Sequence, residues 1–315
     1  MKLEERTTEL AIIHTLDRVK GLGPIKFRQI YETYKSFSAF WEDANKTGYD
    51  FASHHLGFDV KFQRTLIRQL KKLKKELEDS RKFIIEQMDR AKELDGRLIS
   101  YFDKEYPPNL YRTNQSVPII YAVGKLDILM NERCCAVVGT RTPFEWSKDE
   151  TKVAVERLVK QDYVIVSGLA KGIDAIAHEI ALAKRGKTIA VVGCGVDVYY
   201  PKENSKLQDE IREKGVIISE YPFGSKVQSI SLQKRDKIIV GLSKYVLIVE
   251  TSKQGGTMNA YRATLEQRKP VGVFIPPPHV SGSFDGNIEI AKQRKTRIYQ
   301  FSDGASVDFG REKDA

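Results

Sequence analysis

At 315 residues with 41% apolar content, the chain is long enough for two packed domains, and no stretch approaches the roughly 18 uninterrupted apolar residues of a membrane span. Lysine and arginine number 52 against 42 aspartates and glutamates, a net charge of +10 spread over both halves, which favours a polyanionic partner. Three cysteines, with Cys134 and Cys135 adjacent and Cys194 distant, make neither a disulfide framework nor a zinc site, and MKLEERTTELAII is no signal peptide, so a reduced, cytoplasmic, non-membrane protein is expected.

Residues 10–93 read as helical, within an N-terminal helical domain expected over 1–95. Inside it, VKGLGPIKFRQIYETY (19–34) places a Gly-x-Gly-Pro turn before a helix, the pattern of a helix–hairpin–helix element. Such a turn can offer backbone N–H groups to a DNA phosphate, and it can equally join two ordinary helices. Leu66, Leu70, Leu73 and Leu77 recur at three- and four-residue steps and predict one buried helix face, with the neighbouring KKLKK on its solvated side. Asp95-Gly96 breaks the pattern, and the proline-bearing, extended stretch 101–124 leads into a second domain, expected over 96–302.

From Ala136 the pattern changes to short β-branched runs: AVVGTR, YVIVSG, TIAVVGCG, VIISEY, YVLIVE and VGVFIP. Helical segments at 145–161, 174–185, 203–214 and 258–268 separate them. Continuous apolar strands alternating with helices predict an α/β domain with a Rossmann-like, mostly parallel sheet covered by helices on both faces. Beyond Pro278 the chain is polar and weakly patterned, and 303–315 reads as a C-terminal tail.

Parallel sheets of this class bind ligands beyond the carboxyl ends of their strands. Three such ends are glycine-rich and polar: Gly139-Thr140-Arg141, the run SGLAKGIDAIAH with Ser167, Gly168, Lys171 and Gly172, and the turn at Gly255, Gly256 and Thr257. Glycine lets a backbone approach a ligand closely, helix N-termini offer free N–H groups, and Arg141 and Lys171 supply charge, so these ends predict a phosphate-binding rim.

The cofactor motifs that would compete for such a rim are missing. No G-x-G-x-x-G follows the first strand, where VGTRTPF has proline, and no G-x-x-x-x-G-K-[ST] loop is present, so no cofactor is expected. Catalytic residues and a metal cluster are likewise not expected. His178 falls on a helix beside Ala177 and Ala181, Cys194 has no histidine near it in sequence, Asp174 is placed to cap its helix or orient the loop, and Glu220 and Glu250 end strands where they can bond loop amides.

The order of segments resembles the DNA processing protein A (DprA/Smf) family. The matching pieces are YFDKEYPPNLY with PIIYAVGKLDIL, AVVGTR, SGLAKGIDAIAH, TIAVVGCGVDVYYPKEN, ISEYPFG, KRDKIIVGLS, YVLIVET, GGTMNAYRATLEQRKPVGVF and GNIEIAKQRKTRIYQF, running from about Leu98 to Phe301. The resemblance implies a single-stranded DNA binder, not an enzyme, that protects incoming DNA and loads the RecA recombinase in natural transformation, and that forms homodimers. It implies DNA contacts at Arg141, at Lys171 with Ser167, Gly168 and Gly172, at Arg235 and Lys237 of an Arg-Asn-Arg segment, and at Gly255, Gly256 and Thr257. Two departures stand out. The family's Phe-Pro is Leu232-Gln233 here, and Asp236 replaces the asparagine, which lowers the local positive potential unless it points away. The chain also ends without room for the winged-helix domain of many members.

Bases of a single strand could stack on Tyr199, Tyr200 or Phe144. Two rival readings share the rim: a nucleotide-binding sensor, and a nucleoside-phosphate phosphoribohydrolase suggested by Gly255-Gly256-Thr257 with Glu266.

Overall fold

The computed structural model describes residues 2–46, 56–280, 282–293 and 297–309. Residues 47–55 of the expected first domain and 310–315 of the expected tail lie outside the described residues. The chain divides into two units: Met1–Tyr106 with Ser116–Tyr121, and Pro107–Gln115 with Ala122–Ala315.

The first unit contains α1 (Leu3–Leu16), α2 (Pro24–Tyr34), α3 (Phe37–Lys46), α4 (Val60–Leu73), α5 (Leu77–Glu93) and the strand β1 (Gly96–Ser100). Gly21 adopts φ +87°, and Gly23 caps α2 with Pro24 at its first position, where the missing N–H costs nothing. Asp59 caps α4 by accepting the Phe62 N–H at 2.9 Å, and Phe62, Leu66, Leu70 and Leu73 form its buried face. The leucine series does not continue on that helix. A 3-10 turn over Lys74–Glu76 ends it, and Leu77 opens α5 half-buried. Residues 96–106 also pack with the helices: Arg6 bonds Asp103 at 2.5 Å and the Leu98 carbonyl at 2.6 Å, and the Tyr101 ring tilts against Phe27 and Phe37.

The second unit contains α6 (Pro108–Tyr111), the end of β2 (Ile119–Gly124), β3 (Cys134–Val138), α7 (Glu145–Lys160), β4 (Val164–Ser167), α8 (Ile173–Ala183), β5 (Thr188–Val191), α9 (Ser205–Lys214), β6 (Val216–Ser219), α10 (Ser229–Leu242), β7 (Tyr245–Ile248), α11 (Thr257–Glu266), β8 (Val271–Phe274), α12 (Asp285–Ala291) and β9 (Ile298–Phe301). Its strands run in the order β6-β5-β4-β3-β7-β8-β9, all parallel, with Ala136 of β3 between Val166 and Val246.

Because side chains alternate across a strand, β3 is apolar on both faces. Cys135 and Val137 join the core beneath α7 and α8 with Val155, Leu158, Ile165, Ala177, Leu247 and Phe274. The opposite face carries α10 and α11. From β3 the chain winds outward through β4, β5 and β6, then returns to the other side of β3 for β7, β8 and β9. That reversal leaves a crevice at the carboxyl end of β3, between the loops after β4 and β7.

Two elements go beyond the sequence pattern. Helix α10 ends in IIVGL, a β-branched run that reads as a strand but lies buried on several sides. The segment past Pro278 supplies α12 and the edge strand β9, and Val307 and Phe309 of the expected tail sit in the core, tied by the Arg157 Nε–H to the Val307 carbonyl at 2.6 Å.

Candidate functional site

The three glycine-rich loops meet at this crevice because their backbones touch. A Cβ on Gly139 would lie 2.5 Å from Ile173 Cγ1, and one on Gly172 (φ +78°) would overlap the Thr140 carbonyl, so the loops after β3 and β4 close together only with glycine at both positions. The Ile173 N–H donates to the Thr140 carbonyl at 3.2 Å, and the Thr140 N–H donates to the Glu250 carbonyl at 2.9 Å. The Glu250 carboxylate accepts the Phe144 N–H at 3.0 Å and the Ser283 N–H at 3.4 Å. Asn287 of α12, fully buried, accepts the Thr251 N–H at 2.8 Å and donates to the Val249 and Phe274 carbonyls. Sequence reasoning missed Asn287. A lone asparagine in a weakly patterned segment gives no signal until the fold brings the ends of β7 and β8 to it.

The crevice opens into a cleft of about 770 Å³. Gly139, Thr140, Arg141, Arg235, Gly255, Gly256 and Thr257 line it, together with Tyr200, Asp174 and Asp236. Gly168 and Lys171 line a smaller cavity that shares Arg141, Tyr200 and Arg235 with the cleft. Ser167, Gly172 and Lys237 line neither. The Ser167 hydroxyl is buried and donates to the Val137 carbonyl at 2.7 Å, so it holds two strands together. Gly172 acts by letting two loops close on each other, and Lys237 pairs with Glu266 at 3.1 Å. Of the three aromatic platforms, only Tyr200 lines the cleft.

The cations differ sharply in availability. Arg141 is exposed and forms no ion pair among the described residues. Lys171 pairs with Glu203. Arg235, expected as a direct contact, is only 7% exposed at its side chain. Its guanidinium fills the place of a side chain on Gly168, with Nη1 3.6 Å from Asp174 and Nε 3.4 Å from Asp236. Asp174 does not cap α8, whose N-cap is Gly172. It orients the loop by accepting the Gly168 N–H at 3.2 Å.

Asp236 does not point away from the site. Burial pushes its carboxyl up to about 6, with the Asp174 charge adding to the rise and Arg235 and Arg141 opposing it. Gly256 faces open space where a side chain would stand, so its backbone is bare to the cleft.

Groups that could do covalent chemistry are poorly placed. Burial pushes the Cys194 thiol up to about 11, which keeps it protonated at neutral pH. His178 is fully buried with Nδ1 2.7 Å from Thr188 Oγ1, and burial with the Arg235 charge pushes it down to about 3. Among the described residues no group of three or more histidines, cysteines and carboxylates could hold a metal, and no helix is long and apolar enough to cross a membrane.

Comparison with known proteins places this geometry. The protein Smf of Synechocystis is 31% identical over 244 residues, covering 76% of this chain and 58% of its own length. The DNA processing protein DprA of Streptococcus pneumoniae is 36% identical over 187 residues, covering 59% of this chain and 65% of its own length. The chain thus spans about three fifths of the length of these relatives. The solved structure of DNA processing protein A from Streptococcus pneumoniae superposes with a TM-score of 0.71 at 25% identity, covering 95% of this chain and 98% of that one. A DNA processing protein A from Helicobacter pylori, described for its unique single-stranded DNA binding mode, matches at 30% identity with a TM-score of 0.56 over 65% of this chain and 91% of its own. The family model for DNA recombination-mediator protein A matches residues 97–306, which takes in every strand from β2 to β9 and the whole cleft, and the chain belongs to that family.

Proposed function

We propose that the cleft binds the backbone of single-stranded DNA and that the protein acts by binding rather than by catalysis. The observation that carries this reading is the unpaired Arg141 and the bare backbone of Gly256 lining one cleft at the switch point of the sheet. A cation and the Gly256 N–H in one cleft suit a phosphodiester, and Tyr200 offers a face on which a base can stack. The family resemblance extends the reading to DNA processing in natural transformation, with hand-over to the RecA recombinase and action as a homodimer. Titration of oligo(dT) and of duplex by fluorescence anisotropy at about 50 and 200 mM salt tests the binding. Tighter binding of the single strand, weakening steeply with salt, is the expected result, and equal affinity for duplex or indifference to salt contradicts it.

The cleft's volume also suits a small ligand, so a nucleotide-sensing role is the second reading. A nucleoside monophosphate that displaces oligo(dT) at low concentration would favour it. The phosphoribohydrolase reading fares worse, because Glu266 closes α11 in an ion pair with Lys237 and does not line the cleft.

Asp236 should make DNA binding depend on pH. Its ionised form sets a negative charge beside Arg235 and Arg141, so affinity is expected to fall as pH rises through about 6 and the carboxyl loses its proton. Asp236→Asn keeps the shape and removes the charge. It should bind oligo(dT) more tightly at pH 8 and show a flatter pH profile than the parent. Parallel profiles for parent and variant would mean Asp236 does not sense the bound strand.

A further inference from the structure

The first unit carries a second cationic surface that the cleft does not use. Helix α4 is the only described helix that has cations and no carboxylate. Lys61, Arg64, Arg68, Lys72 and Lys75, the last in the 3-10 turn that follows, recur at steps of three and four residues, and all are exposed. None of these five forms an ion pair among the described residues.

On α7 and α9 several surface cations are neutralised within the helix, Lys148 by Glu145, Lys152 by Asp149 and Lys214 by Glu210. On α4 the neighbours are like-charged instead, with Arg64 four residues from Arg68 and Arg68 four from Lys72. Each such pair destabilises a helix by a few tenths of a kcal/mol in isolation. An ordinary solvated face has no reason to keep that repulsion, and a polyanion laid along it removes it. Lys61 to Lys72 extends roughly 16 Å along the helix axis.

The glycine turn between α1 and α2 is fixed against the same helix. The Lys20 N–H donates to Gln69 Oε1 at 2.9 Å, Gly21 packs on the Phe62 ring, and Lys26 Nζ sits 4.0 Å from that ring's centroid. Lys20, Lys26 and the turn therefore adjoin the cationic stripe.

We propose that the cationic face of α4, with the adjoining glycine turn, is a second and sequence-independent seat for a DNA backbone. The occupant is DNA rather than an anionic membrane. An interfacial helix needs an apolar face to bury in lipid, and on α4 Phe62, Leu66, Leu70 and Leu73 already spend that face inside the unit. The site reads no base, because lysine and arginine on a helix surface meet phosphates as charges. It also discriminates little between strand states, so it takes duplex as well as single strands. It stands whether or not the cleft binds DNA.

The test uses the full chain carrying Arg64→Ala, Arg68→Ala and Lys72→Ala together, with a 30-base-pair duplex as probe. Alanine favours helix and these side chains are exposed, so the variant should melt like the parent. It is expected to bind the duplex roughly tenfold or more weakly at about 50 mM salt, with a salt slope shallower by about 0.9 for each phosphate it no longer neutralises. Lys148→Ala with Lys152→Ala on α7, cations already paired with Glu145 and Asp149, should leave duplex affinity unchanged. The triple variant's loss of duplex should appear whether or not oligo(dT) binding depends on the cleft, which separates failure of this site from failure of the cleft. Unchanged duplex affinity and slope in the triple variant overturn the proposal. So does a loss confined to vesicles of phosphatidylserine and phosphatidylcholine with duplex binding intact.

Discussion

Arg235→Ala is expected to destabilise the second unit by about 3–5 kcal/mol, the cost of removing one partner from a buried ion pair. The guanidinium lies within reach of Asp174 and Asp236, and its loss strips Asp174 of its ion-pair partner and leaves Asp236 with only the Arg141 charge to oppose its burial. The loss should be pH-dependent in a defined direction. Asp236, already pushed up to about 6 with Arg235 beside it, takes a proton at pH 5 but is ionised at pH 8. The variant should therefore fall further below the parent at pH 8 than at pH 5, read by chemical denaturation at both. Gly168→Ala adds one methyl group, yet that methyl occupies the guanidinium's position. It should reproduce most of the Arg235→Ala effect by expelling the same group. A loss below about 1 kcal/mol in both variants would show that the cluster relaxes onto solvent and does not hold the loop.

The behaviour of Arg235 also marks where sequence reading stops. Runs such as AVVG and YVLIV identify parallel strands because a strand buried on both faces has no polar alternation to hide it. The strand ends follow from the runs, so the rim of Gly139, Arg141, Gly168 and Gly255 is legible in the sequence. Whether a cation on that rim is free is not. Arg235 and Asp236 are adjacent in sequence, but the pocket that buries Arg235 is made by Gly168 after β4 and Asp174 at the start of α8. Lys171 looks as available as Arg141 until the fold brings Glu203 against it. Helix α10 escapes notice for the opposite reason. It is buried on several sides, so its apolar residues carry no 3.6-residue period, and Ile238-Ile239-Val240 imitates a strand. The boundary between units lies later than Asp95 because Arg6 and Tyr101 draw residues 96–106 onto the helices, a set of interactions that composition does not record.

That difference between two cations yields the second large effect, on DNA affinity. Arg141→Ala should weaken oligo(dT) binding on the order of ten- to a hundredfold, since a hydrogen bond to a charged group contributes roughly 1.5–3 kcal/mol. The side chain is exposed and unpaired, so removing it opens no cavity and strands no partner, and the variant should melt like the parent. Lys171→Ala should cost much less, about two- to fivefold, because Glu203 already neutralises the lysine and the strand must compete with it. Glu203→Ala makes the reasoning reversible. It frees Lys171 and should tighten binding, and in that background Lys171→Ala should become more damaging than in the parent. The salt slope supplies an independent count, falling by about 0.7 for each phosphate of a single strand that the variant leaves unneutralised. If Arg141→Ala and Lys171→Ala weaken binding equally and Glu203→Ala changes nothing, the Lys171 pair opens freely in solution and both loops meet phosphate alike. If neither alanine variant alters binding or slope, the glycine loops serve only to close strands onto helices and the phosphate site lies elsewhere.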